Sequence, residues 1–109
     1  MQDLKWLPTE KRIARGAYER ALGRQFNSLI DETKQRASRI SQPEDLWALE
    51  GWLTDQRKDI DQTFDYRYSV LVIVFAKLIC RGFLTVHDLS GLGQEKIDQI
   101  MRTAEFIKQ

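Results

Sequence analysis

The feature that most constrains this chain is a long stretch without proline near its N-terminus, from Thr9 to Ile40. Apolar or small side chains recur there in steps of three and four, which predicts one α-helix of about 48 Å. Gly16 and Gly23 each weaken that helix by ~1 kcal/mol relative to alanine. A helix of this length cannot fold back on itself, so its stripe needs a neighbour. The stripe consists of Ile13, Ala17, Ala21, Leu22, Phe26, Leu29, Ile30, Thr33, Ala37 and Ile40.

A second helix is predicted from about Gln42 to the low sixties. Pro43 ends the first helix, and Ser41 and Glu44 have the spacing of a capping box. At 100° per residue, one set of apolar side chains falls within ~60° of arc. This set is Leu46, Leu49, Leu53, Ile60 and Phe64, bordered by Glu50, Arg57 and Asp61 on one side and by Trp52 on the other. Trp47 lies outside the set, beside Gly51 and Thr54.

The run from residue 70 to 76 is β-branched and allows two interpretations. A buried strand is one, but no second β-like run offers a partner. A helix that begins near Tyr66 and ends at Arg81 and Gly82 is the other, and its basic residue followed by glycine is typical of a helix C-terminus. Thr85 to Asp88 then caps a short helix, and apolar residues between Ile97 and Ile107 predict a last amphipathic helix. We expect one all-α domain over residues 1–109.

Composition excludes several classes of protein. The 109 residues hold one cysteine and one histidine, so an internal disulfide and a structural zinc site are both excluded. Cys80 lies in an apolar run and is interpreted as a small core residue. The net charge is +1 with the two signs mixed, whereas a nucleic-acid module usually has a basic excess. The N-terminus lacks a secretory h-region, and the longest apolar run is too short to span a bilayer. These features predict a soluble, cytoplasmic protein.

The chain lacks the motifs that mark an active site. It has no G-x-S-x-G sequence, no phosphate loop and no dinucleotide fingerprint. His87 lies alone in a capping segment. The carboxylates of Asp55, Asp59, Asp61 and Asp65 spread over several faces of a helix, which indicates a solvated surface rather than a metal site. We therefore expect no catalytic residue, no metal and no cofactor.

One short motif leaves a nucleic-acid function open. The sequence DLSGLGQEKI, from Asp88 to Ile97, resembles the hairpin of helix-hairpin-helix modules, whose glycines offer backbone N–H groups to a phosphate at a helix N-terminus. Glu95 would lie close to that phosphate and repel it. A tight turn between two helices is the simpler interpretation of the same sequence.

The segment DLWALEGWL and its continuation TDQRKDIDQTFDYRYSVLVIVFAKLICRGFL resemble the fluorescence recovery protein family of cyanobacteria. The similarity covers residues 45–84 and is weaker on either side. The matching residues are Asp45, Leu46, Trp47, Leu49, Leu53, Arg57, Ile60, Asp61, Asp65, Arg67, Ser69, Val70, Val74, Phe75, Ala76 and Gly82. Glu50 and Gly51 stand where the family usually has a His-Asp pair.

The resemblance implies a non-enzymatic homodimer with a helical stalk, about residues 9–64, and a small helical C-terminal head, about residues 65–109. Such proteins bind the light-activated red form of the orange carotenoid protein, speed its return to the orange form, and help detach it from the phycobilisome. We expect a partner-binding patch of Trp47, Glu50, Gly51, Thr54, Arg57 and Asp61. We expect a dimer interface of Leu46, Leu49, Glu50, Leu53, Arg57 and Ile60. A dimeric adaptor of similar structure with another client is the alternative.

Overall fold

A computed structural model of the chain describes residues 5–109. It contains α1 (Pro8–Ser38), α2 (Pro43–Thr63), α3 (Leu71–Arg81) and α4 (Gln94–Lys108), with a 3-10 helix at Val86–Leu89. No strand occurs in this part of the chain, so the all-α prediction is confirmed and the strand interpretation of residues 70–76 is wrong. The molecule is elongated, 53 × 24 × 21 Å. None of the helices described is both long and apolar enough to cross a membrane.

The second half of α1 and the whole of α2 form an antiparallel hairpin with a connection of four residues. The cap of α2 differs from the predicted pair of Ser41 and Glu44. The carboxylate of Asp45 accepts the backbone N–H groups of Ser41 at 3.0 Å and of Gln42 at 3.1 Å. Because Pro43 is the first helical residue, the acid that reaches back to the chain before the helix is Asp45, one position later than predicted.

The third helix begins at Leu71, five residues later than predicted. Residues 64–67 before it form no helix, residues 68–70 form a turn, and Phe64, Tyr66 and Tyr68 share a set of ring contacts. The rings of Phe64 and Tyr66 both meet the ring of Tyr18 on α1 edge-on, with centroids 5.4 and 4.8 Å apart. Trp6 packs against Tyr68 at 5.6 Å. This packing of aromatic rings overrides the helical tendency of the segment and delays the start of α3.

One hydrophobic core joins α3, α4 and the loops between them to the first half of α1. The helix α1 contributes Ala14, Ala17 and Ala21, which are fully buried because their small side chains let α1 approach closely. Cys80 is half-buried, and its Sγ–H donates to the Ala104 carbonyl at 3.4 Å. The other core side chains are Trp6, Leu71, Val74, Phe75, Ala76, Leu78, Leu84, Leu89, Leu92, Ile100 and Ala104.

Two arginines fasten the hairpin to this core. Arg24 binds the Asp88 carboxylate with both of its terminal nitrogens, at 2.7 and 3.2 Å, and donates to the Phe83 carbonyl at 3.0 Å. Arg81 binds Asp59 in the same two-pronged way, at 2.8 and 3.0 Å. The Arg24 guanidinium, with help from Thr85, holds the pKa of Asp88 well below its usual range. The carboxylate therefore stays charged and keeps the 3-10 helix against α1.

The turn before α4 yields a prediction at Gly91. Its φ is +101°, a region that L-residues rarely adopt, and a Cβ there would collide with Cδ1 of Ile13. We expect Gly91→Ala to lower the free energy of unfolding by about 2 kcal/mol. Gly23, inside α1, is the matched control because nothing lies within 4 Å of its added Cβ. There, alanine should raise stability by about 0.5–1 kcal/mol through helix propensity. Urea denaturation of both variants measures the difference, and equal effects would contradict this account of the turn.

Candidate functional site

A groove of about 740 Å³ runs along the hairpin between α1 and α2. Its apolar floor forms because α2 carries leucines and Ile60 on one face, in steps of three, four and seven residues. Phe26 and Leu29 of α1 complete it. The groove therefore gathers eight residues of the two predicted sets: Leu46, Leu49, Glu50, Leu53, Thr54, Arg57, Ile60 and Asp61.

This apolar face stays partly open to solvent, with Leu29, Leu49 and Leu53 half-buried. Leu46 is 50% exposed, and on α1 Ile30 is 49% and Phe26 is 44% exposed. In α2 only Ile60 and Thr63 are buried. Single exposed apolar residues are normal on soluble proteins, but a contiguous exposed set is typical of a contact surface.

Trp47 and Gly51 lie outside the residues that line the groove. The Trp47 side chain is 67% exposed, so it does not pack against α1. Gly51 follows it by one helical turn, and a Cβ built there meets nothing within 4 Å. The surface beside Trp47 is therefore unobstructed. A large aromatic side chain held in water on an ordered helix is a feature of binding hot spots.

Charged side chains at the groove rim are left without partners. Within residues 5–109, neither Glu50, Arg57 nor Asp61 forms an ion pair, although Glu50 and Arg57 occupy the same groove. Asp59 and Asp65 differ from them because Arg81 and Arg67 bind their carboxylates. The rim thus offers two acids and one arginine to whatever covers the groove.

On another face of the hairpin, side chains of the two helices contact each other. The Arg36 guanidinium stacks over the Trp52 ring at 4.0 Å and binds Glu32 on its own helix at 2.7 Å. Trp52 is accordingly half-buried, in contrast to Trp47. The two tryptophans of DLWALEGWL therefore differ in role: Trp52 stabilises the hairpin, and Trp47 is free to contact another molecule.

The glycine-rich turn before α4 already holds an anion from this chain. The backbone N–H of Gly93, at the N-terminus of α4, donates to Oε2 of Glu10 at 2.7 Å. Oε1 of Glu10 accepts the Leu7 N–H at 3.0 Å and the Lys96 ammonium at 3.0 Å. A carboxylate thus fills the position that a phosphate takes in helix-hairpin-helix modules. Sequence reasoning missed Glu10 because 83 positions separate it from Gly93.

Comparison with known proteins gives consistent results. A family model described as "Photoprotection regulator fluorescence recovery protein" matches residues 6–104. The fluorescence recovery protein of Synechocystis sp. PCC 6803 is 32% identical over 101 residues, which cover 93% of each chain. The solved fluorescence recovery protein of Fremyella diplosiphon is 40% identical, with a TM-score of 0.89 over 93% of this chain and 99% of that one. The Synechocystis structure also gives 0.89, at 32% identity and the same coverage.

The buried pair of Glu10 and Lys96 leads to a prediction about acid stability. The N–H of Leu7, followed by that of Gly93 and by Lys96, lowers the pKa of Glu10 from its ordinary value of 4.5. A carboxyl group with a lowered pKa stabilises the fold above its unfolded pKa, and this contribution is lost as the pH falls through the folded pKa. We expect Glu10→Gln to cost about 3 kcal/mol at pH 7, because it leaves the Lys96 ammonium buried without a counter-charge.

Glu19→Gln is the control, since Glu19 forms an exposed pair with Arg15 and should change stability by less than about 1 kcal/mol. Unfolding measured from pH 7 down to pH 3 should show a smaller loss of stability in Glu10→Gln than in the unmodified chain. Parallel pH profiles for the two proteins would rule out Glu10 as a source of the acid sensitivity.

Proposed function

Because the chain belongs to the fluorescence recovery protein family, a family of photoprotection regulators, we propose that it acts by binding another protein without covalent chemistry. The partner is the red, light-activated form of the orange carotenoid protein. Binding speeds the return of that protein to its orange form and its detachment from the phycobilisome. The observation that supports this most is the exposed Trp47 beside an open apolar groove. We place this activity in the cytoplasm.

The groove supports a homodimer in which a second copy covers it. In that dimer, the interface would bury Leu46, Leu49 and Leu53 of one copy together with Phe26 in the groove wall of the partner. Full burial of such a side chain stabilises by ~1.5–3 kcal/mol, so a few of them offset much of the cost of association. A two-fold axis presents the same patch on both subunits, which suits a groove whose rim carries both signs of charge.

Glu50 and Arg57 set the register of this dimer. They are seven residues apart on one helix face, so about 10 Å separates them along the axis and they cannot bind within one chain. If two copies of α2 cross antiparallel near Leu53 and Thr54, residue 50 of one copy faces residue 57 of the other. The axis then forms the pair twice. Gly51 beside the crossing lets the backbones approach closely.

The partner-binding patch combines Trp47 with the polar residues Glu50, Thr54, Arg57 and Asp61, and Gly51 leaves room beside the tryptophan. To accelerate reversion, these residues must bind the transition state more tightly than they bind the red form. Each 1.36 kcal/mol of such preference is worth about tenfold in rate. A rigid tryptophan and a forked arginine on one ordered helix can supply a preference of that size.

One assay of recovery in the dark distinguishes the competing functions. The purified protein is mixed with photoactivated orange carotenoid protein, and recovery of the orange absorbance is followed in the dark. Faster recovery supports the proposal. An unchanged rate favours the dimeric adaptor with another client, for which Glu50 and Gly51 in place of the family's His-Asp pair are the main argument. Nucleic-acid binding is disfavoured because Glu10 occupies the Gly93 N–H.

A charge swap tests the dimer register. We expect Glu50→Arg and Arg57→Glu each to weaken dimerisation by about tenfold, because each places two like-charge contacts at the interface. The double variant restores opposite charges and should recover the affinity of the unmodified chain. Sedimentation equilibrium measures the three dissociation constants. Additive losses in the double variant would show that the two residues do not meet, and no loss in any variant would show that the groove is not the interface.

The two tryptophans test the partner site. Trp47→Ala should leave the melting temperature nearly unchanged and lower recovery activity, with ~2–4 kcal/mol of binding lost. Trp52→Ala, which removes the ring under Arg36, is the matched control. It should lower the melting temperature and keep normal activity per folded molecule. The reverse pattern would place Trp47 in the fold and Trp52 in the partner site.

A further inference from the structure

A second concave surface lies where the first half of α1 meets the 3-10 helix. It encloses about 380 Å³, and the basic residues in its lining are Arg12, Arg20 and His87. Arg12 is exposed and forms no ion pair within residues 5–109. The concavity therefore carries positive charge that the rest of the described chain does not neutralise.

The negative side chain in this concavity is buried, whereas the positive side chains are exposed. The only carboxylate in its lining is that of Asp88, whose side chain is 9% exposed, whereas the Arg20 side chain beside it is 52% exposed. Asp88 is held at 2.7 Å by Arg24, and the Nε of Arg20 lies farther away, at 3.6 Å. A molecule that approaches from solvent thus meets guanidinium groups first.

The backbone around this surface is built to hold Arg20 in place. Arg20 folds back along α1 over Gly16 and donates to the Asp88 carbonyl at 3.4 Å. A Cβ at residue 16 would lie 3.3 Å from the Arg20 guanidinium, so the glycine provides the space that this position needs. On the opposite wall, the His87 carbonyl accepts the Ser90 hydroxyl at 2.7 Å and fixes the end of the 3-10 helix.

The charge of α1 extends the positive surface beyond the concavity. Residues 8–24 hold five basic side chains and two acidic ones, a local excess of three on a chain whose net charge is +1. One of the two acids, Glu10, is buried against Lys96. Helix α2 has the opposite balance, with six acidic residues and two basic ones. The mixed charges of the sequence are therefore separated along the folded molecule.

We propose that the concavity formed by Arg12, Arg20 and His87 binds carboxylate side chains of an acidic segment in a partner protein. Guanidinium groups bind carboxylates with two parallel hydrogen bonds, a geometry that favours arginine over lysine. Guanidinium groups also bind phosphate in this forked way, but a phosphate site usually adds backbone N–H groups at a helix N-terminus. The neighbouring N-terminus, that of α4, already holds Glu10. This proposal does not depend on the identity of the partner proposed above.

The test uses hexaglutamate as the probe, with hexaglutamine as the neutral control, and follows backbone amide shifts of the full chain by NMR at low salt. We expect hexaglutamate alone to shift the amides of residues 12–20 and 85–90. Arg12→Glu should weaken its binding by about tenfold. Lys34→Glu changes the net charge by the same amount on an exposed part of α1 and should leave the affinity within about twofold. Equal losses in the two variants would overturn the site in favour of bulk charge.

A second variant tests the placement of Arg20 without a change in charge. Gly16→Ala should raise the melting temperature through helix propensity and yet weaken hexaglutamate binding, because the guanidinium must move away from the new Cβ. Unchanged affinity would remove Arg20 from the site.

Inorganic phosphate, added at matched ionic strength, should displace the peptide weakly. Full displacement by equimolar phosphate would overturn the choice of a protein segment, and dilution-dependent shifts without peptide would identify a second copy of this chain as the occupant.

Discussion

The structure depends on one long helix, α1, which is shared by the hydrophobic core and by the hairpin. Helix α1 runs for 31 residues without a break. Its first half is part of the hydrophobic core with α3 and α4, and its second half is one side of the hairpin with α2. Because an α-helix resists bending without a proline or a bulge, the groove on the hairpin and the concavity at the 3-10 helix are held at a fixed separation.

The two halves of α1 differ in the size of their apolar side chains, and this difference determines what they contact. The first half presents alanines, which permit close packing and become fully buried. The second half presents Phe26, Leu29 and Ile30, which α2 covers only in part. The core is therefore satisfied within one chain. The hairpin retains a surface whose burial would be favourable, and that asymmetry is the physical argument for a dimer interface on the hairpin.

The sequence predicted the parts of the fold that depend on local patterns. Steps of three and four residues located α1, α2 and α4, and Gly82 marked the end of α3, where it adopts a φ of +82°. The predicted start of α3 was wrong because Phe64 and Tyr66 pack against Tyr18 of α1, a long-range contact that local sequence patterns do not show. Most residues of the groove could be predicted, since α2 carries most of the groove lining. Glu10 and the concavity could not, because their partners are more than 60 positions away in the chain.

Under the two proposals, the surfaces make different contributions to one regulatory act. A charged concavity on the rim of the molecule binds an acidic segment in much the same way before, during and after a conformational change in the partner. Such uniform binding raises the fraction of partner that is captured and does not lower the barrier to reversion. The surface around Trp47 can lower that barrier, since an aromatic contact forms or breaks as the partner changes shape. Fixing both on α1 and its hairpin converts the second contact into an intramolecular one, so weak capture at the concavity raises the effective concentration of the partner at the groove.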